Sequence, residues 1–210
     1  MEKVAAIFDV DQTLVRGHTE RLFFWYLVRQ GRLKLGQVLI FFGRLAAQPQ
    51  ARFRNKTYLQ GMEVEEVAAL ARRCYRELIA PRLSPLGLAC VREHQAQGHR
   101  IVVLTGSLAF LVRPLKEELA ADWLIATELV ENGACLTGEI RGLHPRGKNK
   151  WQLLWELSQA QGFDLSRSYA YGDHFQDFLH FRSVGHPVAV NPSFRLKRLA
   201  QRYHWPIRYF

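Results

Sequence analysis

The sequence is short of cysteine, of acidic residues and of long apolar runs, and each shortage removes a class of protein. Cys74, Cys90 and Cys135 are the only cysteines in 210 residues. Three thiols, odd in number and far apart, make neither a disulfide framework nor a zinc spacing. Reduced thiols in a cytoplasm are the expectation. The first apolar strand starts within about four residues of Met1, so no signal peptide is expected. Asp and Glu number 19 against 29 Lys and Arg, a formal net charge of +10. That surplus favours anionic partners such as phosphorylated metabolites, nucleic acid or an acidic membrane surface. The basic residues are scattered, and no Lys/Arg run is interleaved with aromatics, so no nucleic acid is expected. Internal repeats and low-complexity segments are absent too.

The most apolar stretch, "RLFFWYLVRQGRLKLGQVLIFFGRLAAQ" (21–48), is interrupted at Arg29, Gly31, Arg32, Lys34 and Gly36. Neither half reaches the roughly 18–20 residues that a spanning helix needs. Two amphipathic helices packed on each other are predicted, with peripheral membrane contact as the lesser alternative.

Hydrophobic residues make up 48% of the chain, enough for a sizeable core. Short apolar runs recur at long intervals: "VAAIFDVD" (4–11), "RIVVLTGS" (100–107), "WLIATEL" (123–129), "SYAYGD" (168–173) and "PVAVNP" (187–192). Runs of four to six residues, β-branched or aromatic and apolar on both faces, read as buried parallel strands. Helical patterns over 85–98, 108–120 and 150–162 lie between them, the second holding Pro114 and the third stopping at Gly162. Asn132-Gly133 inside 128–140 signals a hairpin. The alternation predicts an α/β protein with a Rossmann-like parallel sheet. About ninety residues separate the first two strands, too many for one crossover helix. Helices are predicted over 19–30, 35–47, 51–60 and 63–80. Residues 16–82 are therefore expected to form a helical cap inserted after strand 1, with 1–15 and 83–210 as the core.

Ligands of open α/β sheets bind beyond the carboxyl ends of the strands. There this chain places Asp9 and Asp11, then Thr105-Gly106-Ser107, then Gly172-Asp173 with Asp177 four residues on; "RGKNK" supplies Lys148 and Lys150. If the extended backbone continues past strand 1, Asp9 and Asp11 point the same way. Two carboxylates that close repel unless a cation lies between them. With Asp173 the donors are all oxygen, which suits Mg²⁺. A hydroxyl, backbone amides and a lysine suit a phosphoryl group. One carboxylate can then attack phosphorus while the other moves the proton.

"DVDQT", "TGS", the lysine of "GKNK" and "GDHFQD" resemble the four ordered motifs of the haloacid dehalogenase superfamily, and the match spans essentially the whole chain. The tail after Val184 is similar to the phosphoserine-phosphatase-like branch. The resemblance implies Asp9 as nucleophile and Asp11 as general acid/base. It implies Mg²⁺ on Asp9, the Asp11 backbone carbonyl and Asp173, with Asp177 supporting the metal. It implies a phosphate site at Thr105, Gly106 and Ser107, and Lys150, preferred to Lys148, bridging nucleophile and phosphate. The branch's glutamate for the substrate amino group is replaced here by His18, with Glu20 two residues on. His174, Phe175 and Gln176 also depart from the usual pattern. These changes leave the phosphoryl chemistry intact and the substrate open.

His18, Glu20, Arg52, Arg54 and Lys56 are candidate substrate contacts from the cap. Phe23, Phe24, Trp25 and Tyr26 are expected to be cap core. The implied activity is Mg²⁺-dependent hydrolysis of a small phosphorylated metabolite, such as an amino-alcohol phosphate of the phosphoserine or histidinol phosphate type, by a cytoplasmic monomer or homodimer. The alternatives are a membrane-associated lipid-phosphate phosphatase, a receiver-like phospho-aspartate module and a catalytically silent binding protein.

Overall fold

The structure is a computed structural model that describes residues 3–33 and 55–210. The predicted helix over 35–47, the start of that over 51–60, and Lys34, Gly36, Arg52 and Arg54 lie outside the described residues.

β1 (Ala5–Phe8) is followed by α1 (Thr19–Arg29), α2 (Val64–Cys74) and α3 (Pro85–Ala96). Next come β2 (Arg100–Leu108), α4 (Ala109–Glu118), β3 (Trp123–Asn132) and β4 (Cys135–Arg141). α5 (Lys148–Gln161), β5 (Tyr169–Gly172), α6 (Phe178–Phe181), β6 (His186–Val190), α7 (Phe194–Arg202) and β7 (Ile207–Arg208) complete the described elements. Among the described residues the strands form one sheet in the order β4-β3-β2-β1-β5-β6-β7. Every pair is parallel except β3–β4. The chain leaves β1 for β2 on one side and returns to β5 on the other, so the topological switch point lies between β1 and β5.

β1 is buried on both faces, as a central parallel strand must be. Ala6 and Phe8 enter an apolar cluster shared with α1, α2 and α4, where Phe23, Leu27, Leu70, Cys74, Leu111 and Leu115 meet. Ala5 and Ile7 point the other way and pack with Leu154 of α5, Phe181 of α6 and Leu196 of α7. Phe8 stacks on Tyr171 of the neighbouring β5 at 4.5 Å. The helix ends follow local chemistry. Ser84 caps α3 by accepting from the Gly87 amide at 3.1 Å, and Gly162 closes α5 at a φ of +67°.

The structure corrects the expected elements in four places. The predicted Asn-Gly hairpin forms with β4 as its second arm, and one strand joins the expected ones: β7, two residues long and too short to leave a pattern. The described part of the predicted 51–60 helix is not an α-helix. Asn55 bridges Glu139, the Lys56 amide donates to Gly138 O at 2.6 Å, and the Gly61 amide donates to Leu136 O at 2.8 Å. This segment, with one 3₁₀ turn at Thr57–Leu59, runs along the outer edge of β4 and covers its free amides and carbonyls. The predicted 63–80 helix holds as α2 to Cys74, widens into a π turn (Tyr75–Ile79) and tightens to a 3₁₀ turn (Ala80–Arg82). Pro81, without an N–H, cannot continue the ladder. Finally, β1 ends at Phe8, before Asp9, so the extended backbone does not run on to Asp11.

Candidate active site

Asp9 follows β1 directly, and its amide donates to Tyr171 O of β5 at 2.9 Å, which fixes it at the switch point. The chain then turns. Val10 O accepts from the amides of Thr13, Leu14 and Val15, and Gln12 takes a φ of +60°. Asp11 is therefore aimed by a turn rather than by strand alternation. The Thr19 amide donates to its Oδ1 at 2.9 Å and Ser107 Oγ donates to its Oδ2 at 3.0 Å. Thr19 opens α1, so the carboxylate sits at the positive end of that helix. Ser107 has spent its proton on Asp11, so Thr19 Oγ1, 2.6 Å away, donates to Ser107. His18 Nδ1 is 3.9 Å from Asp11 Oδ2, and its side chain is 57% exposed. The Asp11 carboxylate beside it holds the imidazole above its ordinary pKa.

Lys150, in the first turn of α5, is buried, and its Nζ lies 2.9 Å from Asp177 Oδ1 and 3.2 Å from Asp9 Oδ1. Asp173 stands at the end of β5. One carboxylate oxygen each from Asp9, Asp173 and Asp177 lie within 4.8 Å of one another. Three acids share one lysine. Burial, helped by Asp177 and Asp11 against Lys150, pushes Asp9 up to about 7. Burial together with Asp9 and Asp177 pushes Asp173 up to about 8. Burial also works against the charge on Asp177, yet the facing Lys150 holds its carboxyl below the ordinary value. The same pairing keeps Lys150 above the usual lysine range despite its burial.

The surplus of negative charge fits a cation. Asp177 Oδ2 is buried without a hydrogen-bond partner, and the donor set is all carboxylate oxygen. Such a set suits a hard divalent ion. The Asp11 carboxylate, turned toward Thr19 and Ser107, does not enter this cluster. Asp177 stands at the N-cap position of α6 without making a cap bond, because its side chain turns to Lys150.

The segment predicted to hold phosphate sits in an interruption of the sheet. β2 and β3 pair regularly up to Leu104↔Ile125, then the register shifts before Leu108↔Thr127. Thr105 is buried, and its Oγ1 accepts from the Ser107 amide at 3.1 Å. A Cβ on Gly106 would stand 3.4 Å from Pro145 O and 3.5 Å from His144 Cε1, so the loop before α5 closes on the smallest residue. The Ser107 hydroxyl, expected on phosphate, is engaged by Asp11 and Thr19.

Of the cap candidates, Glu20 accepts from Lys56 Nζ at 2.6 Å and from Tyr58 OH at 3.2 Å. Lys56 is thereby buried, not solvated. Phe23, Phe24 and Tyr26 are core, whereas Trp25 is 49% exposed. Lys148 is exposed. Sequence reasoning missed Thr127, His144 and Arg146. Arg146 Nε donates to Gln176 Oε1 at 2.5 Å and ties the loop before α5 to the loop after β5. The available signal was the "HPR" preceding "GKNK".

A family model described as haloacid dehalogenase-like hydrolase matches residues 6–181. The "Inhibition of morphological differentiation protein" of Streptomyces azureus is 32% identical over 99% of this chain and 78% of its own length. A histidinol-phosphatase of Neisseria meningitidis serogroup C is 27% identical over 99% of both chains. Among solved structures, a protein of unknown function from Bordetella pertussis Tohama I covers 99% of both chains with a TM-score of 0.88 at 24% identity. A phospho-aspartyl intermediate analogue of phosphoserine phosphatase covers 100% of this chain and 94% of its own, with a TM-score of 0.68 at 21% identity. At these identities the solved structures speak for the fold.

Proposed function

The chain belongs to the haloacid dehalogenase-like hydrolase family, as one of its phosphatases, and from that premise we propose that it is a Mg²⁺-dependent phosphomonoester hydrolase working through an aspartyl-phosphate on Asp9. The observation that carries this reading is the buried Lys150 held between Asp9 and Asp177, with Asp173 completing a carboxylate cluster at the sheet's switch point. Family membership also sets aside the receiver-like alternative.

In the proposed reaction Asp9 attacks phosphorus while Lys150 and the Thr105 hydroxyl offset charge on the phosphoryl oxygens. Asp11 gives a proton to the departing alkoxide and afterwards takes one from the water that cleaves the acyl phosphate. The two carboxylates sit in separate networks. Asp9 faces a lysine, whereas Asp11 is fixed by a helix amide and a serine hydroxyl on the other side of the turn. Mg²⁺ held by Asp9, Asp173 and Asp177, with the Asp11 carbonyl, would keep these carboxylates ionised and neutralise phosphoryl charge.

The substrate is proposed to be a small amino-alcohol phosphate of the histidinol phosphate or phosphoserine type. The full-length likeness to a histidinol-phosphatase supports it. The described parts of the expected cap, 16–33 and 55–82, are assigned to cover the pocket. Glu20, already engaged by Lys56 and Tyr58, orders the cap wall, and His18, beside Asp11, meets the leaving group. Among the described residues no helix is long and apolar enough to cross a membrane.

The test is phosphate release from an aryl phosphate and from a panel of amino-alcohol and sugar phosphates, with Mg²⁺ and with EDTA. Turnover that needs the metal and disappears in Asp9→Asn is expected. Turnover that survives Asp9→Asn would refute the assignment of the nucleophile.

A further inference from the structure

We propose that Thr127 and His144 are positioning residues that turn the Thr105 hydroxyl into an obligate donor toward the phosphoryl group, acting through the Gly106–Ser107 peptide. The assignment presupposes the phosphatase chemistry proposed above.

The hydrogen bonds fix the direction of every proton. Gly106 O can only accept, so Thr127 Oγ1, 2.7 Å away, must donate to it. A threonine hydroxyl has one proton. His144 Nδ1, 2.8 Å from the same oxygen, must therefore donate to Thr127, which makes neutral His144 the Nδ1–H tautomer. Gly106 C=O and Ser107 N–H belong to one amide. A donor on its carbonyl polarises its N–H. That N–H donates to Thr105 Oγ1 at 3.1 Å. Thr105 thus accepts from this amide on one lone pair, which steers its O–H away from the amide, and among the described residues no protein group takes its own proton. The hydroxyl is left to point that proton at a ligand oxygen.

Three further features agree. The β2–β3 register is broken between Leu104 and Leu108, so the strand ladder is irregular where Gly106 lies, and the Thr127 side chain serves its carbonyl. Bulges of this kind cluster next to active sites. Thr105, Ser107 and Thr127 are each no more than 3% exposed, so water does not compete for the relay. Burial, with Lys56 and Arg146 nearby, pushes His144 down to about 4, so a single neutral tautomer persists at neutral pH. A donor aimed in advance at developing phosphoryl charge is what electrostatic catalysis requires.

Thr127→Val removes the hydroxyl and keeps the shape, and Thr127→Ser restores it. His144→Asn retains a donor near the position of Nδ1, whereas His144→Ala removes it. The measurements are kcat and KM with an aryl phosphate, and inhibition by vanadate. Thr127→Val is expected to lower kcat/KM about tenfold, with vanadate affinity falling in parallel, and His144→Ala by a smaller factor. Thr127→Ser and His144→Asn are expected to recover most of the loss. The deciding readout is a double-mutant cycle: in a Thr105→Ala background, Thr127→Val and His144→Ala should have almost no further effect. A merely structural role would lose the same factor in either background, and that result would overturn the relay, as would full activity in both single variants. A wild type that neither turns over nor binds vanadate would instead overturn the phosphatase reading, and the relay with it.

Discussion

Lys150 carries the charge balance of the site. It is the lysine that Asp9 and Asp177 both face, in a pocket where Asp9 and Asp173 already sit near 7 and 8. Replacing it with methionine leaves buried carboxylates without a partner. In EDTA at pH 8, Lys150→Met should lower unfolding stability by about 3 kcal/mol. The loss should shrink at pH 6, where Asp9 and Asp173 can take up protons, and Mg²⁺ should restore part of it. Urea unfolding at the two pH values checks this. The same variant should lose about 10²–10³-fold in kcat, a typical effect of deleting one preorganised electrostatic group. At this scale much of the site was legible. Asp9, Lys150, Asp173 and Asp177 stand where apolar strands or a helix give way to polar residues, and the structure gathers these four. Thr127 was not legible, because a threonine inside a strand is an ordinary β-former. Its partner His144 lies 17 residues away, and only tertiary structure brings the two together.

At the scale of elements, the turn after β5 places the third carboxylate of the cluster proposed to hold the metal. The 3₁₀ turn Phe175–Asp177 folds Asp177 back over Gly172, where a Cβ would stand 2.6 Å from Asp177 Oδ2. Gly172→Ala should therefore displace that carboxylate, weaken Mg²⁺ binding at least tenfold by calorimetry, and leave the far-UV spectrum unchanged. Gly185→Ala is the contrast. Its Cβ would run into the backbone oxygen of Ser166, which cannot swing aside as a side chain could. It should cost about 3 kcal/mol or more of stability while activity per folded molecule is unchanged. The elements themselves were legible where pattern and punctuation agreed, as in β1, β2, the Asn-Gly hairpin and the helix closed by Gly162. Residues 55–60 were not, because their conformation is dictated by the free edge of β4. Gly138 shows how close that contact is: its φ is +81°, and a Cβ there would come within 3.0 Å of Lys56 O.

For the whole molecule, the pH dependence of stability should be governed partly by a histidine cluster packed on the central strands β1 and β5. His94 is buried, with Nδ1 2.7 Å from His99 Nδ1 and Nε2 2.8 Å from Tyr171 OH. Burial, with His99 and Arg208 nearby, pushes it down to about 4. The unfolded imidazole binds a proton as pH falls through about 6.5, and the folded one only near 4. The unfolded state therefore holds more protons in that window, and stability is present above pH 6.5 and lost on the way down to 4. The loss from His94 is about 3 kcal/mol. Urea midpoints measured across this range should fall with acidity, and His94→Gln should flatten the slope.

Acid-quenched turnover followed by peptide mass spectrometry tests the central claim most directly. With Mg²⁺ and a rapidly cleaved aryl phosphate, the peptide containing Asp9 should gain the mass of one phosphoryl group. That mass should be removed by brief exposure to base and be absent in Asp9→Asn. Active turnover with no covalent phosphate, or with the phosphate on any residue other than Asp9, would contradict the account.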